Sequence, residues 1–309
     1  MPNILLLGER VERDYAAPLA RELAARGVAA RLAPDLPPGE VDYIVLRPGA
    51  VGADFTPFTR AKAVLSTWMG VETLVTNPTL TQPLARMVEP SMTRGMTEYV
   101  TAHVMRHHIG LDVHVHGLKG AWHRTVPPLA PERPVTVLGL GELGRSAAST
   151  LAALGFPVTG WSRSPRELPY LARTFSGRAG LHGALDGAQI VVILLPLTRG
   201  TENLLGAAEF ARLAPGAVII NPARGPVIDD DALLAALDSG QVGHATLDVF
   251  RREPLPPDHP FWHHPQVTVT PHIAAETRVA TAAAVLAENI AGVERGEPLR
   301  DRVDRAAGY

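Results

Sequence analysis

A glycine-rich segment, GLGELG, lies between an apolar run of strand length and a stretch of helical composition. It supplies Gly139, Gly141 and Gly144 directly after VTVL and directly before RSAASTLAALG. Glycines at this spacing permit a tight turn, a close approach of the backbone to a pyrophosphate, and a helix N-terminus that faces the phosphates. The flanking strand and helix are the context that a dinucleotide site requires. We therefore predict a dinucleotide site here rather than a plain strand–helix turn, with Glu142 and Leu143 in contact with the cofactor.

The segment VTGWSRSP, at the end of the next predicted strand, bears on which dinucleotide is bound. NAD sites usually carry an acidic residue at this point, which binds the ribose 2′-hydroxyl. This chain has Ser162, Arg163 and Ser164 instead. A guanidinium can bind a 2′-phosphate bidentately, whereas a carboxylate would repel it. We expect NADPH as the preferred cofactor and NADH as the alternative, with Arg166 as a second contact; the other interpretation of Arg163 is a solvated loop charge.

Three charged side chains follow further predicted strands of the same series. Arg224 lies in NPARGPVI, Glu253 in DVFRREPLP and His272 in TPHIAAET. The carboxyl ends of the strands in a doubly wound sheet lie together at the ligand crevice. We therefore expect these three side chains to converge there. Taken singly, each has a structural interpretation, such as a turn-capping carboxylate or a core histidine.

The composition limits the class of protein. The chain has 309 residues, enough for about two domains. Its net charge of −2 argues against nucleic acid as a partner, and the lack of cysteine excludes disulfides and thiolate catalysis. The N-terminal MPNILLLGER lacks a basic region, and the longest apolar run, IVVILLP, is far shorter than a membrane span. We therefore expect a cytoplasmic protein without a membrane partner.

Strand-like and helix-like segments alternate along the chain in two series, which predicts parallel, doubly wound sheets. Residues 93–108 are predicted to be helical, and the proline-rich stretch 123–134 to be the loop between the two series. A last helix is predicted from Ala274 to Gly296. The predicted strands of the second series are Val135–Leu138, Val158–Trp161, Ile190–Leu195, Ala217–Ile220, His244–Leu247 and Val267–Thr270.

Four segments in this order resemble the D-isomer-specific 2-hydroxyacid dehydrogenases: VLGLGELG, LLPLTRGTENLL, NPARGPVIDDDALLAALDSGQVGHATLDVFRREPLP and TPHIAAET. Within that family, the segments WSRS, HPFWHHPQVTVTPH and DRVDRAAGY are most similar to the glyoxylate/hydroxypyruvate reductase A group. The resemblance implies an oxidoreductase that reduces a small 2-keto acid, glyoxylate or hydroxypyruvate, to the 2-hydroxy acid with NADPH. It also implies a homodimer, in which Trp122 would reach the partner subunit's site.

The resemblance further implies two α/β domains, each with a doubly wound parallel sheet. The NAD(P)-binding domain, residues 99–274, would be of the Rossmann type and would be inserted into a flavodoxin-like substrate-binding domain made of residues 1–98 and 275–309. The active site is then expected between the two domains, where closure would exclude water from the hydride transfer.

The resemblance gives the three convergent residues catalytic roles. Reduction of a keto acid needs a hydride at the carbonyl carbon and a proton at its oxygen, and a histidine has a suitable pKa. His272 is expected to donate the proton, Glu253 to orient it, and Arg224 to hold the substrate carboxylate and polarise the carbonyl. Asp248 resembles the position that meets the nicotinamide carboxamide. Further cofactor contacts are predicted at Leu195, Pro196, Pro222, Ala223, Arg224 and His272.

The segment TWMGVETL, residues 67–74, resembles the substrate loop of the family, which more often reads A-G-V-D. The backbone N–H groups of Gly70 and Val71 are expected to bind the substrate carboxylate. Trp68 is expected to narrow the pocket towards small acids, with a core tryptophan as the alternative interpretation. The predicted substrate contacts are Trp68, Met69, Gly70, Val71, Arg224 and His272.

Two other functions remain compatible with this pattern. One is another dehydrogenase of the family, of the 3-phosphoglycerate or D-lactate type; a phosphorylated substrate would need basic residues, which residues 67–74 lack, although Arg47 and Arg94 could approach. The other is a non-catalytic protein that senses NAD(P), but binding alone needs no proton donor such as His272. Glu142 also departs from the family, which usually has a basic residue there, and an acid near the pyrophosphate is expected to hinder binding unless its side chain points away. No metal site is predicted, including at His259, His263 and His264.

Overall fold

The computed structural model describes residues 1–49, 53–115, 117, 119–120, 122 and 124–309. The chain forms two compact units, Met1–Met92 with Glu276–Tyr309, and Thr93–Ala275. The domain boundaries predicted from the sequence, after residues 98 and 274, stay a prediction. Residue 123 of the predicted boundary loop lies outside the described residues, and residues 124–134 belong to the second unit. The chain instead passes from the first unit to the second within the helix Pro90–His108.

Twelve strands and nine α-helices lie within the described residues. The strands are β1 (Asn3–Leu7), β2 (Arg31–Ala33), β3 (Tyr43–Leu46), β4 (Ala63–Ser66), β5 (Leu84–Ala85), β6 (Val135–Leu138), β7 (Val158–Ser162), β8 (Arg173–Ser176), β9 (Ile190–Ile193), β10 (Ala217–Asn221), β11 (Val242–Leu247) and β12 (Val267–Val269). The helices are α1 (Glu9–Ala25), α2 (Glu72–Val75), α3 (Pro90–His108), α4 (Leu111–Val115), α5 (Glu142–Ala153), α6 (Gly177–Leu185), α7 (Ala207–Phe210), α8 (Asp230–Asp238) and α9 (Val279–Glu294). None of these helices combines the length and the apolar character needed to cross a bilayer.

The first unit contains a parallel five-stranded sheet in the order β2-β1-β3-β4-β5. This is the flavodoxin-like order predicted for the substrate domain. One face of the sheet is covered by α1 and α9, whose Leu19, Leu23 and Leu286 share an apolar core with Ile4 and Tyr43. On the other face, Ile44 and Leu46 of β3 pack in a second apolar core with Phe55 and Leu74, so the central strand β3 is covered on both faces and is buried at every position.

The second unit contains a parallel seven-stranded sheet in the order β12-β11-β10-β9-β6-β7-β8. The six strands β8-β7-β6-β9-β10-β11 follow the Rossmann order 3-2-1-4-5-6, and β12 extends it. The strands β6, β9 and β10 are buried along their whole length, as expected of parallel strands with helices on both faces. The predicted fold class is confirmed, and all carboxyl ends of these strands lie at one edge.

Two details of the sequence prediction were wrong. The final helix begins at Val279 and not at Ala274, because the amides of Ile273 and Ala274 donate hydrogen bonds to the carboxylate of Asp248. The short strands β2, β5 and β8 were not predicted. Each of them has only two to four residues. All three positions of β2 are exposed or half-buried, so its sequence lacks the continuous apolar pattern of a buried strand.

Helix α3 packs three histidines into the second unit, and His244 on β11 faces one of them. Burial lowers the pKa of His103 to about 4, that of His107 to about 3 and that of His244 to about 4. Each of these rings is therefore neutral near pH 7 in the folded chain. His108 is also buried, and burial lowers its pKa as well.

These neutral histidines predict that the protein loses stability in mild acid. An unfolded histidine has a pKa of about 6.5 and takes up a proton first as the pH falls. The free energy of unfolding should therefore have its full value above about pH 6.5. As the pH falls below 6.5, it should decrease by up to about 1.4 kcal/mol per pH unit for each of the three histidines. Urea unfolding between pH 7 and pH 5 tests this. A free energy of unfolding that is flat over that range would contradict it, and His107→Gln should make the decrease shallower.

Candidate active site

The predicted phosphate turn joins β6 to α5 in the second unit. Gly144 lies so close to the turn that a Cβ atom there would stand 1.7 Å from the carbonyl oxygen of Gly139, so only glycine permits this packing. Gly141 is the N-cap of α5 and has no side-chain cap. A Cβ atom on Gly141 would meet no other atom within 4 Å, so the space above the helix N-terminus is open to a ligand. The turn therefore has the shape and the unpaired amides that bind phosphate groups.

Glu142 was expected to hinder phosphate binding unless its carboxylate points away. Its Oε2 accepts a hydrogen bond of 2.7 Å from Arg145, one turn along α5. The negative charge is thus balanced on the helix surface. Cofactor contacts at Glu142 and Leu143 stay predictions, and only their backbones lie in the phosphate turn.

The turn after β7 contains the residues predicted to determine whether NADPH or NADH is preferred. Ser162 is buried, and its hydroxyl donates to the carbonyl oxygen of Ser164 at 2.7 Å. That hydrogen bond shapes the turn and uses the hydroxyl proton. Arg163 and Arg166 are both exposed in the same turn. The positive charge at this point therefore comes from the two arginines, and Ser162 positions the backbone that carries them.

The other predicted cofactor contacts lie at the carboxyl ends of neighbouring strands. Leu195 and Pro196 follow β9, and Pro222 and Ala223 follow β10. Leu195, Pro222 and Ala223 are buried, while Pro196 is half-buried. Because β6, β9 and β10 are adjacent and parallel, these residues share one sheet edge with the phosphate turn.

Arg224 is held in its loop by Asn221, a buried residue at the end of β10. The Asn221 side chain donates to the Arg224 carbonyl oxygen at 3.0 Å and accepts from the Ala223 amide at 3.1 Å. The next residue, Gly225, approaches the backbone of Phe250 so closely that a Cβ atom would stand 2.2 Å from its carbonyl carbon. This contact brings the Arg224 loop against the segment that leads to Glu253.

His272 and Glu253 form a direct pair. The distance between His272 Nδ1 and Glu253 Oε2 is 2.7 Å, and Glu253 Oε1 accepts from the Phe250 amide at 2.9 Å. The hydrogen bond with Glu253 raises the pKa of His272 above its usual value, although burial opposes it. About half of the His272 side chain, 51%, remains exposed. With Nδ1 on the carboxylate, Nε2 is the nitrogen left to meet a substrate.

Asp248 fixes the backbone that carries His272. The Asp248 side chain is fully buried, and it accepts hydrogen bonds from the Thr270 hydroxyl at 2.5 Å and from the amides of Ile273 and Ala274 at 2.9 Å each. The His272 amide donates to the Asp248 carbonyl oxygen at 2.9 Å. These bonds hold His272 at a φ of 54°, a conformation that non-glycine residues seldom adopt. The contact of Asp248 with a nicotinamide stays a prediction.

Arg224, Glu253 and His272 act on one another electrostatically. Burial alone would raise the pKa of Glu253, but the hydrogen bonds from His272 and Phe250 and the charges of His272 and Arg224 bring it below its usual value. The Arg224 charge also opposes the rise of the His272 pKa. The second unit therefore brings together the three side chains that the sequence predicted to converge, each at a strand's carboxyl end.

The predicted substrate loop, residues 67–74, belongs to the first unit. Trp68 follows β4, is 39% exposed, and has the guanidinium carbon of Arg47 4.3 Å from its ring centroid. The Trp68 amide donates to the Ser66 hydroxyl at 3.0 Å, and that hydroxyl donates to the Trp68 carbonyl oxygen at 2.8 Å. Met69 and Gly70 are half-buried, and Val71 is buried. Trp68 is thus a surface residue stacked on an arginine and not a core tryptophan.

The sequence prediction missed two polar residues that support this site. Asn221 ends β10 and Thr270 follows β12, and each bonds to the loop that carries a predicted catalytic residue. A signal was present for Asn221, a polar residue at the end of the buried apolar strand β10, and Thr270 is a polar residue directly after β12. Such positions are often functional in parallel sheets.

Replacing Glu253 by glutamine should lower the pKa of His272, since the bond to the carboxylate is the main cause of its rise. Histidine ring signals in an NMR pH titration measure this value. We expect the pKa of His272 to move towards acid. A His272 pKa that stays where it was would show that Glu253 does not hold the proton on the ring.

Comparisons with known proteins agree with this geometry. A family model described as D-isomer specific 2-hydroxyacid dehydrogenase, NAD binding domain, matches residues 100–274. A glyoxylate/hydroxypyruvate reductase A from Serratia proteamaculans is 42% identical over 228 residues, which are 74% of this chain and 72% of the relative. A similar protein from Klebsiella pneumoniae (strain 342) is 38% identical over 256 residues, 80% of this chain and 82% of the relative.

Solved structures match the whole chain. A D-isomer specific 2-hydroxyacid dehydrogenase from Xanthobacter autotrophicus in complex with NADPH has a TM-score of 0.91 and 38% identity, covering 100% of this chain and 99% of the other. An NADPH-dependent glyoxylate/hydroxypyruvate reductase from Sinorhizobium meliloti in complex with NADP has a TM-score of 0.87 and 34% identity, with both chains fully covered. With the fold, the phosphate turn and the convergent residues, these matches show that the chain belongs to the D-isomer-specific 2-hydroxyacid dehydrogenase family.

Proposed function

We propose that this protein is an NADPH-dependent reductase that converts a small 2-keto acid, glyoxylate or hydroxypyruvate, to the 2-hydroxy acid. The observation that carries the proposal is the 2.7 Å contact between His272 and Glu253. It lies at the same sheet edge as the phosphate turn. A protein that only bound a dinucleotide would not need a histidine whose pKa is raised by a carboxylate.

The residues of the second unit fit NADPH. The phosphate turn at Gly139–Gly144 would hold the pyrophosphate, since Gly141 leaves room for it. Arg163 and Arg166 would bind the 2′-phosphate. When bound, NADPH supplies a hydride. Leu195, Pro222 and Ala223 would line the dinucleotide along the sheet edge, and Asp248 would meet the nicotinamide through the turn that it orders.

His272 would complete the reduction by moving a proton. The hydride adds to the carbonyl carbon while the C=O π electrons move to oxygen, and the imidazolium gives its Nε2 proton to that oxygen. Glu253 keeps the ring charged beforehand and remains hydrogen-bonded to Nδ1 as the ring becomes neutral. The raised pKa of His272 serves this role, because a larger share of the rings is protonated at neutral pH.

Arg224 would bind the substrate carboxylate and polarise the keto oxygen. Its guanidinium presents fixed donors in a plane, which suits a carboxylate next to a carbonyl. The backbone amides of Gly70 and Val71 would complete the carboxylate site. Trp68, with Met69 beside it, would limit the acid to a short chain. Arg47 stacks on the Trp68 ring, so one basic side chain that could meet a phosphorylated substrate lies beside this loop, and turnover of 3-phosphohydroxypyruvate tests that alternative.

We further propose that the chain forms a homodimer and works in the cytoplasm. Among the described residues between 109 and 129, seven large apolar side chains are exposed, and their number in one stretch of chain supports a protein interface there. They are Ile109, Leu111, Val113, Val115, Trp122, Val126 and Leu129. A second copy of the chain is the partner that the family resemblance suggests, and Trp122, 94% exposed, would then contact that copy.

The proposed reaction is tested by following the absorbance of NADPH and of NADH with glyoxylate, hydroxypyruvate, pyruvate and 3-phosphohydroxypyruvate. We expect fast oxidation of NADPH with the first two acids and slower oxidation of NADH. Tight NADPH binding without turnover of any of the four acids would instead favour a protein that senses the cofactor. Preferential turnover of 3-phosphohydroxypyruvate would make the chain a different dehydrogenase of the same family.

Gly141→Ala should weaken NADPH binding without unfolding the protein. The added methyl group meets nothing within 4 Å in the free chain, but it would occupy space that the pyrophosphate needs. We expect the Kd for NADPH to rise at least about tenfold and the melting temperature to stay within a few degrees. Gly39→Ala, which also meets no atom, is the matched control. Unchanged NADPH affinity in Gly141→Ala would remove the phosphate turn from the site.

Arg163→Ala should weaken NADPH far more than NADH. Loss of a charge-assisted hydrogen bond to the 2′-phosphate costs about 1.5–3 kcal/mol, so the KM for NADPH should rise about tenfold or more. The KM for NADH should change little, because NADH lacks that phosphate. Arg31→Ala, at an exposed arginine of the first unit, serves as the control. Equal losses with both cofactors would mean that Arg163 is a structural residue.

A further inference from the structure

A cluster of metal-ligand side chains lies in the second unit away from the proposed active site. It consists of His107 at the end of α3, Asp112 in α4 and His244 on β11. One ligand atom from each of the three lies within 4.8 Å of the others. His107 Nδ1 is 4.0 Å from Asp112 Oδ2, and the two rings have their centroids 4.7 Å apart.

Hydrogen bonds orient both rings from outside the cluster. His107 Nε2 lies 2.9 Å from the Thr246 hydroxyl, and His244 Nε2 lies 2.8 Å from the Thr268 hydroxyl. Metal-binding histidines are commonly fixed in this way through the nitrogen that does not bind the metal. Among the described residues, none makes a hydrogen bond to Nδ1 of either ring. If Nε2–H of His107 donates to Thr246, its Nδ1 presents a lone pair towards Asp112.

The carboxylate is held in a similar manner. Asp112 Oδ1 accepts a hydrogen bond of 2.6 Å from Arg106 Nε, and Arg106 also donates to the Thr268 hydroxyl at 2.9 Å. Oδ2 is the oxygen that faces His107. One oxygen of Asp112 can therefore bind a cation while the other stays on the arginine.

We propose that His107, Asp112 and His244 form a binding site for a zinc-like divalent transition-metal cation. Two imidazoles and one carboxylate are ligands that such cations accept. Zinc–nitrogen bonds of about 2.0–2.1 Å place ligand atoms about 3.4 Å apart in a tetrahedron, so the three groups move together by about 1 Å on binding. Asp112 is 28% exposed at its side chain, which gives the cation an entry path and a position for water.

Bound metal would join α3, α4 and β11 beside the exposed apolar side chains of Ile109 and Leu111. It takes no part in the proposed hydride transfer, whose residues lie on other loops. Its effect would be structural: the cation binds the folded arrangement of the three ligands and so stabilises it.

The test is a zinc titration of the chelator-treated full chain by calorimetry at pH 7. We expect one saturable site in the wild type, and binding at least about tenfold weaker in Asp112→Asn and in His244→Gln. His182→Gln is the matched control, because His182 on α6 pairs with Glu209 at 3.2 Å and its loss should leave the site intact. No saturable binding to the wild type, or an equal loss in His182→Gln, overturns the proposal.

Hydrogen exchange of the wild type gives a second test that does not depend on the variants folding. Added zinc should slow amide exchange at residues 107–112 and 242–247 and leave residues 259–266 unchanged. Protection found only at residues 259–266, or only around His272, would place the metal elsewhere and overturn the proposal.

Discussion

The site depends on the hydrogen bonds that the carboxylate of Asp248 accepts. This carboxylate is fully buried, and it binds one hydroxyl and two amides of the turn that follows β12. Burial raises the pKa of this carboxyl group although the three hydrogen bonds oppose the rise. A buried carboxylate is tolerated only when such partners satisfy it. The result is a turn with one defined shape, which sets His272 at its positive φ and delays the start of α9.

A second constraint brings the remaining groups to that turn. Gly225 packs against the backbone of Phe250, and the Phe250 amide in turn binds Glu253. The loops after β10 and β11 are therefore locked together by a contact that leaves no room for a side chain. Arg224 is carried on one of these loops and Glu253 on the other. The site is thus assembled by backbone contacts at one sheet edge, and its reactive side chains remain half-exposed.

Much of this arrangement could be predicted from the sequence. Continuous apolar runs such as IVVILL predicted the buried parallel strands, and parallel strands bring Arg224, Glu253 and His272 to one edge. The supporting bonds could not be predicted, because they depend on loop geometry. One such bond is that of the Ser162 hydroxyl, which donates to the Ser164 carbonyl oxygen within the turn predicted to meet the cofactor. Glu142, which looked unfavourable, is balanced by Arg145 through helical spacing alone.

The ends of helices, the short strands and the burial of polar side chains were harder to predict, for physical reasons. The sequence AAET after His272 has good helix propensity, but Asp248 binds its first amides and holds them out of a helix. The strand β5 is two residues long, pairs with β4 and forms one antiparallel bridge from Ala85 to Arg302, so it is too short to carry a sequence pattern. The sequence predicted a helix at residues 93–108 but not that His107 and His108 are buried in it. Tertiary packing decided each of these cases.

The central claim is that His272, held by Asp248 and charged by Glu253, donates the proton in the reduction of a keto acid. The most direct measurement compares turnover and NADPH affinity in His272→Ala and in the wild type. The account predicts that turnover with glyoxylate or hydroxypyruvate falls by about 10²–10⁴ while the Kd for NADPH stays within a few-fold. Retained turnover, or a collapse of NADPH affinity in place of turnover, would contradict the assignment of His272 as the donor.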